Sequence, residues 1–286
     1  MLRSMYSGIT GLKNHQIKMD VVGNNIANVN TVGFKSSRVT FQDIYSQTIR
    51  PAAAPNAGAG TGGTNPQQIG LGVTLGSVDV MYTNSATEYT GSPLDLSLDG
   101  DGFFVVNNGE QNLFTRAGNF TMDRDNRLVN ASGMYVLGWS RPDPTDPPTA
   151  VVVPDVVPDP LEQIHISSDY YDISINKNGE VIGINEVTQQ KEIIAKIAVA
   201  TFGNQAALQK MGESMYAQNL NSGNAQYVFP GSAGVAFINP SSLEMSNVDL
   251  AKEFTDMIVT QRGFQANSRV ITTSDQLLEE LVNLKR

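Results

Sequence analysis

The last forty residues constrain the fold of this chain more than any other segment. From Asn247 to Leu284 the sequence contains no proline, and apolar residues recur at alternating spacings of four and three. Seven of the ten positions are apolar, a pattern typical of a coiled-coil helix. The ten positions of this seam, of which Gln261, Ser268 and Asp275 are polar, are Leu250, Phe254, Met257, Gln261, Phe264, Ser268, Ile271, Asp275, Leu278 and Val282. Such a helix would be roughly 57 Å long at 1.5 Å per residue, and it needs a partner for its apolar seam.

The N-terminal segment carries a second amphipathic pattern, which predicts a helix from about residue 3 to residue 27. Its eight seam positions are Leu2, Met5, Ile9, Leu12, Gln16, Met19, Gly23 and Ile26. All except Gln16 and Gly23 are apolar. Gly8 and Gly11 weaken this helix by roughly 1 kcal/mol each relative to alanine. We therefore expect it to be stable only when packed, and the C-terminal helix is the first candidate partner.

Each terminal helix also has apolar residues beside its main seam, which one antiparallel pair cannot cover. On the C-terminal helix these are Ile258, Val259, Val270, Leu277, Leu281 and Leu284. Exposed apolar patches mark association surfaces, and a contact that does not close on itself generates a helical polymer. We expect the packing residues to be Leu2, Met5, Ile9, Leu12, Met19, Ile26, Leu250, Phe254, Met257, Ile258, Phe264, Ile271, Leu278, Leu281 and Val282. Periodicity alone leaves open a simple helix pair outside a globular domain.

The middle of the chain has the pattern of an antiparallel β domain. Short runs of β-prone residues alternate with turns, and the dipeptides Asn108-Gly109 and Asn178-Gly179 predict two-residue hairpin turns. The prolines between Pro142 and Pro160 exclude that stretch from a central strand, because each proline removes a backbone donor. The expected fold class is mainly β, with long N- and C-terminal helices that pair as a coiled coil.

This division predicts three regions. Residues 1–30 and 245–286 form a terminal helical domain, and residues 76–244 form a β-rich domain. Between them, residues 31–75 form a linker or extended bridging region. Its stretch from Pro51 to Thr64 has low complexity and almost nothing to bury, which is typical of an exposed loop.

The sequence offers little for catalysis or metal binding. There are no cysteines and two histidines, His15 and His165, so thiolate chemistry is excluded and a histidine cluster is unsupported. The sequence from Asp99 to Gly102 resembles the start of a calcium loop, but Phe103 occupies a ligand position, which favours a tight turn. Residues 51–247 hold twenty acidic and eight basic residues, which argues against a nucleic-acid groove. We expect no enzymatic activity and no cofactor.

Three blocks of the sequence closely resemble the bacterial flagellar rod and hook proteins. They are SGITGLKNHQIKMDVVGNNIANVNTVGFKSSRVTF, the pair DLSLDGDGFFVV and LFTRAGNF, and LEMSNVDLAKEFTDMIVTQRGFQANSRVITTSDQLLEELVNLKR. The resemblance covers nearly the whole chain. It implies a non-enzymatic subunit that is exported unfolded and polymerises with its terminal helices at the inside of a tube. The β domain would then form the outer layer.

Within this family two proteins are candidates. The tail SNVDLAKEFTDMIVTQRGFQANS with its ending VNLKR resembles a hook protein, and hooks of Gram-positive bacteria are similarly short. The chain length also resembles distal rod proteins, which form the straight drive shaft of the basal body. A secreted binding module with a helical oligomerisation stalk is an alternative of a different class.

The resemblance also implies partners and a location. The partners would be further copies of the chain, the adjacent rod and hook-filament junction proteins, the hook cap and the flagellar type III export apparatus. We expect neither nucleic-acid binding nor membrane insertion, because no run of eighteen apolar residues occurs. The N-terminus lacks the pattern of a cleaved signal peptide. We therefore expect export to the hook or basal body without one.

Overall fold

The computed structural model of the chain describes residues 2–55, 62–140, 161–232 and 234–284. In these ranges the protein is mainly β with two long helices, α1 (Leu2–Ala27) and α2 (Leu250–Leu284). A short 3-10 helix covers Gln205–Ala207. These features confirm the predicted fold class, apart from the coiled-coil pairing of the helices.

The strands are short, and their pairings are antiparallel. They are β1 (Ser37–Asp43), β2 (Gln47–Arg50), β3 (Gln67–Ile69), β4 (Val73–Val80), β5 (Thr87–Tyr89), β6 (Leu96–Asp99), β7 (Phe103–Asn107), β8 (Asn112–Thr115), β9 (Thr121–Met122), β10 (Leu128–Val129), β11 (Tyr135–Ser140), β12 (Glu162–Gln163), β13 (Tyr170–Ile175), β14 (Glu180–Asn185), β15 (Lys191–Ile197), β16 (Val199–Thr201), β17 (Gln209–Gly212), β18 (Met215–Ala217), β19 (Gln226–Val228), β20 (Phe237–Pro240) and β21 (Ser242–Glu244).

The chain forms two compact units, each assembled from segments distant in sequence. The helical unit comprises Met1–Ala27, Ser37–Val80 and Val248–Arg286, and the β unit comprises Asn28–Ser36 and Met81–Asn247. The chain therefore passes between the units four times. The predicted regions 1–30 with 245–286, 31–75 and 76–244 remain predictions.

The helical unit combines both helices with a two-stranded ribbon. Strands β1 and β4 pair from Ser37 opposite Val80 to Asp43 opposite Val73. Helix α1 is bound to this ribbon through Asn14, whose Nδ2 donates to the Val73 carbonyl at 2.7 Å. Strands β2 and β3 form a second pair.

The β unit is built around a thirteen-stranded sheet, whose main path runs β13-β14-β15-β11-β7-β8-β18-β17. Strand β7 is buried on both faces, because alternate side chains enter two different apolar clusters. Phe103 and Val105 pack with Phe114 and Phe202, whereas Phe104 packs with Leu96, Phe120 and their neighbours. The core of the β unit therefore lies on both sides of β7.

Both predicted hairpins exist, but each turns over four residues rather than two. Residues 108–111 join β7 to β8, and residues 176–179 join β13 to β14. In each loop glycine is the residue with a left-handed backbone, at φ 88° for Gly109 and 74° for Gly179. A two-residue turn of the expected type needs two such residues in a row, so the prediction of the turn type was wrong.

Helix α2 begins three residues after the predicted start at Asn247. The Oδ1 of Asp249 accepts hydrogen bonds from the backbone N–H of Ala251 at 3.0 Å and of Lys252 at 3.3 Å, which caps the helix. Its 35 residues give a length of about 52 Å. The stretch from Pro142 to Pro160, for which no central strand is expected, lies outside the described residues.

Candidate assembly surface

The two helices pack against each other in antiparallel directions within the helical unit. A methyl group added to Gly8 would lie 3.3 Å from the Cγ1 of Ile271. Further along α1, Lys18 Nζ lies 3.0 Å from Asp256 Oδ1. Because residue numbers rise along α1 while those of its partners fall along α2, the helices run in opposite directions.

The face of α2 that contacts α1 consists mainly of small and polar residues, although it includes Ile271. Gly263 lies under the imidazole of His15, where an added methyl would come within 2.7 Å of the ring. On α1, a methyl at Gly11 would lie 2.7 Å from Asn267 Nδ2. The buried residues of α2 are Thr260 and Ser274, whose hydroxyls donate to carbonyls of their own helix. Most of the expected seam thus lies beside the contact face, with Ile271 as a member that does contact α1, because small residues let the helices approach closely there.

The structure leaves most of the predicted packing residues of α2 at the surface. The exposed members of the predicted set are Ile9, Leu250, Phe254, Ile258, Phe264, Leu281 and Val282. The half-buried members are Met5, Leu12, Met19, Ile26, Met257, Ile271 and Leu278. The side chain of Leu2 lies outside the described part of the chain. A role for these residues in subunit packing therefore remains a prediction.

The exposed apolar residues of α2 form two stripes when they are placed at 100° per residue around the helix. Stripe A consists of Leu250, Phe254, Ile258, Phe264 and Val282. Stripe B consists of Val259, Val270, Leu277, Leu281 and Leu284. The stripes lie on opposite sides of the face that contacts α1. Helix α2 thus presents two separate apolar surfaces in the single chain.

Asn25 is a structural residue that the helix pattern did not reveal. Its side chain is 1% exposed, and its amide binds the backbone of Ser37 in both directions, at 2.9 and 3.0 Å. Its Nδ2 also donates to Glu253 Oε1 at 3.1 Å. The signal for it was the asparagine-rich segment from Asn24 to Asn30, in which α1 ends, because asparagine side chains often bind nearby backbone.

The imidazole of His15 lies inside the helical unit in a poorly solvated place. Its ring meets that of Phe41 edge to face at 6.1 Å, and Nδ1 is buried without a hydrogen-bond partner among the described residues. Burial, and secondarily the charge of Lys18, lowers the pKa of His15 below 6.5. The fold therefore favours neutral His15.

Within the described ranges, no three acidic or histidine side chains are grouped in a way that could hold a metal ion. Of the described helices, none is both long enough and apolar enough to span a membrane. The turn from Asp99 to Gly102 joins β6 to β7, as predicted.

Three protein-family models match the chain. Residues 5–35 match "Flagella basal body rod protein", residues 97–183 match "Flagellar hook protein FlgE/F/G D1 domain", and residues 239–284 match "Flagellar basal body rod FlgEFG protein C-terminal". Together they include α1, the centre of the β unit and α2.

Several characterised proteins are similar over their whole length. The flagellar basal-body rod protein FlgG of Bacillus subtilis is 48% identical over 287 aligned positions, which cover all of both chains. The flagellar hook protein FlgE of Borreliella burgdorferi is 32% identical over 444 positions, again covering all of both. The rod protein FlgG of Caulobacter vibrioides is 32% identical over 99% of this chain and all of its own. These relatives are structural proteins, which confirms the expectation that the chain is not an enzyme.

The close helix approach gives a test with a matched control. Alanine at Gly263 would press on the His15 ring, so we expect Gly263→Ala to lower the free energy of unfolding by about 1–3 kcal/mol. Alanine at Gly23 of α1 meets no atom within 4 Å, so Gly23→Ala should raise it by up to about 1 kcal/mol. Urea unfolding followed by circular dichroism measures both. Equal stabilisation by the two alanines would contradict the close approach.

The lowered pKa of His15 predicts a pH dependence of the helical unit. Below pH 6.5 the unfolded chain binds a proton on His15 that the folded chain does not, so stability falls until the folded pKa is passed. Burial also raises the pKa of Glu253, which makes stability rise as the pH falls. This effect is the same in the wild type and in His15→Gln, so it does not contribute to the difference between them. Unfolding midpoints at about pH 7.5 and 5.5 should differ more for the wild type than for His15→Gln. An identical pH response in the two proteins would disprove the role of His15.

Proposed function

The chain belongs to the family of bacterial flagellar rod and hook proteins, and we propose that within this family it is the subunit of the hook. The observation that carries this choice is the tail SNVDLAKEFTDMIVTQRGFQANS with its ending VNLKR, which resembles hook proteins. This tail forms most of α2, the helix with the unpartnered apolar stripes. Identity over the whole chain does not carry this choice, because the Borreliella hook relative and the Caulobacter rod relative are both 32% identical, while the Bacillus rod relative is 48% identical.

The distal rod is the second candidate, and a specific observation favours it. The Bacillus relative has the highest identity of those described above and aligns from end to end with almost no difference in length, and it is named as a rod protein. The Borreliella hook relative needs 444 aligned positions for a chain of 286 residues, so it carries segments that have no counterpart here. A rod would be a straight shaft, whereas a hook would be a curved tube.

In either case, α2 is the element that we propose to drive polymerisation. Its two apolar stripes lie on opposite sides of the helix, so each can bind a different neighbouring copy. Such a contact is heterologous, and repeated along an axis it produces a helical tube. Full burial of one leucine, isoleucine or phenylalanine side chain contributes about 1.5–3 kcal/mol, so several exposed positions are enough to hold subunits together. The coiled-coil packing expected from the sequence would then form between subunits.

The assembled hook would have the layers expected from the family resemblance. Residues 1–30 and 245–286 would line the inside of the tube, residues 31–75 would bridge neighbouring subunits, and residues 76–244 would form the outer layer. We propose that the outer β domains slide past one another as the curved tube rotates and transmits torque. The inner helices would keep the tube continuous during this motion.

The other components of the flagellum complete the proposal. Subunits would pass through the type III export apparatus without a cleaved signal peptide and add beneath the hook cap, outside the cell. The finished polymer would join the rod at one end and the hook-filament junction proteins at the other. None of these contacts requires nucleic acid or insertion into a membrane.

The role of stripe A can be tested by changing two of its exposed residues together. Phe254→Ser with Ile258→Ser should abolish tube formation, because both side chains lose the apolar burial that neighbouring copies would provide. The control pair, Arg262→Ser with Arg269→Ser, changes exposed polar positions of the same helix that lie between the two stripes and should assemble normally. Electron microscopy and sedimentation measure assembly. Tubes of normal length from the double stripe variant would refute the proposed contact.

The choice between hook and rod can be tested by access from outside the cell. The sequence has no cysteine, so a single Val187→Cys at a side chain that is 87% exposed gives a unique label. Intact cells are treated with maleimide–biotin and then streptavidin–gold, which is too large to reach the rod. We expect gold on a short curved tube below each filament.

Two further variants complete the labelling experiment. Leu220→Cys, at a second fully exposed position, guards against a neighbouring subunit that covers Val187. Ala200→Cys, at a fully buried position, should remain unlabelled. Label that is absent from intact cells but present on the straight shaft of purified basal bodies would assign the chain to the rod.

A further inference from the structure

Three segments of the β unit adjoin the points where the chain passes to the helical unit: residues 28–36, 81–85 and 244–247. We propose that a buried ionic cluster of Lys35, Glu244 and Arg116, together with Asn247, is a mechanical clamp that fastens these segments to one another. The clamp would carry the load that the turning polymer places on the chain. This inference rests on the proposed function only in requiring a torque-bearing polymer, so it applies to a hook and to a rod.

Glu244 is the centre of the clamp. Its Oε1 lies 2.6 Å from Lys35 Nζ, and its Oε2 lies 3.4 Å from Arg116 Nη1. All three side chains are at most 1% exposed. The backbone N–H of Ser85 donates to Oε1 at 3.3 Å, and that of Gly33 donates to the Glu244 carbonyl at 2.8 Å. Glu244 therefore binds residues 28–36, residues 81–85 and Arg116, which directly follows β8.

Asn247 and Lys35 complete the links between the three segments. The Oδ1 of Asn247 accepts from the Ser36 N–H at 2.8 Å, and its Nδ2 donates to the Met81 carbonyl at 2.7 Å. The Met81 N–H donates back to the Ser36 carbonyl at 2.8 Å. Lys35 Nζ also donates to the Thr83 carbonyl at 2.7 Å. Each segment is thus bound to both of the others.

The charges of the cluster indicate that it serves to link segments rather than to stabilise the core. Two buried cations share one buried carboxylate, and burial lowers the pKa of both Lys35 and Arg116 despite their attraction to Glu244. Buried ion pairs often stabilise a fold no more than apolar residues of similar size would. Replacing Lys35 with an apolar residue leaves Arg116 and Glu244 as a balanced pair. The main effect of this replacement should therefore be the loss of the bonds that Lys35 makes to Glu244 and to the Thr83 carbonyl.

The helical unit fastens the same passages of the chain from its own side. Asn25 binds the backbone of Ser37, where β1 begins, and donates to Glu253 in the first turns of α2. Both units thus use buried polar side chains next to the passages. Bonds that join several segments in parallel must break together, whereas a single strand end can be peeled away one bond at a time.

The clamp is tested first by hydrogen exchange on the full-length chain. In Lys35→Met, the amides of Gly33, Ser36, Met81 and Ser85 should exchange at least about tenfold faster than in the wild type, while β7 amides keep their rates. The control Lys196→Met removes another partly buried cation of the β unit, which lies 3.8 Å from Glu180 and away from the passages. It should leave the four amides unchanged. Unchanged rates in Lys35→Met, or an equal rise throughout the β unit, would overturn the proposal.

A second variant keeps the test decisive if Lys35→Met fails to fold. Asn247→Ala removes the acceptor of the Ser36 N–H and the donor to Met81 without touching a charge. It should accelerate exchange at Ser36 and Met81 in the same way. A folded Asn247→Ala chain with wild-type exchange at both amides would also overturn the clamp.

The mechanical role is tested in cells. Cells with Lys35→Met or Asn247→Ala should assemble the polymer and swim in dilute medium, but lose motility in methylcellulose, where the motor turns against a higher load. Cells with Lys196→Met should swim in both media. Equal motility in viscous medium, or loss of the polymer itself, would overturn a load-carrying role. Because gold labelling decides between hook and rod independently, failure of the clamp and failure of the proposed function give different results.

Discussion

The close contact between α1 and α2 is the interaction on which the rest of the helical unit depends. Gly8, Gly11 and Gly263 remove the side chains that would hold the two backbones apart, and His15 occupies the space over Gly263. Because this contact uses the small and polar face of α2, it hides little of that helix's apolar surface. The apolar residues are therefore left on both sides for other molecules. A helix of 35 residues with two exposed apolar stripes is suited to a polymer.

The β unit has a different physical basis. Its centre is β7, buried on both faces between two apolar clusters, with edge-to-face aromatic contacts such as Phe103–Phe202 and Phe104–Phe120. Near the passages of the chain, however, the β unit uses the buried charges of Lys35, Glu244 and Arg116. Apolar packing tolerates small shifts, whereas hydrogen-bonded charges specify which groups must meet. The apolar clusters thus stabilise the core of the β unit, and the buried charges fix the arrangement of the segments that lead to the helical unit.

Much of the fold and part of the site could be predicted from the sequence because local patterns report them directly. Period and capping located both helices to within three residues, and alternation with turn residues located strands such as β7. The family resemblance rested on ordered blocks, which the family models also match. The turn type was wrong because an Asn-Gly pair does not by itself fix which residues take a left-handed backbone. The clamp was not predicted, because residues that it bonds together are up to 211 positions apart in the sequence.

The sequence by itself determined the helices, the β class, the family and the presence of a long apolar surface on the C-terminal helix. Each of these depends on residues that are close together in the chain, so local spacing is enough. Only the tertiary structure decided which face of α2 meets α1. The apolar seam from Leu250 to Val282 pointed to a helix partner, but the glycines of both helices allow a closer contact on the neighbouring polar face. Since closeness depends on two surfaces at once, neither helix pattern alone could reveal it.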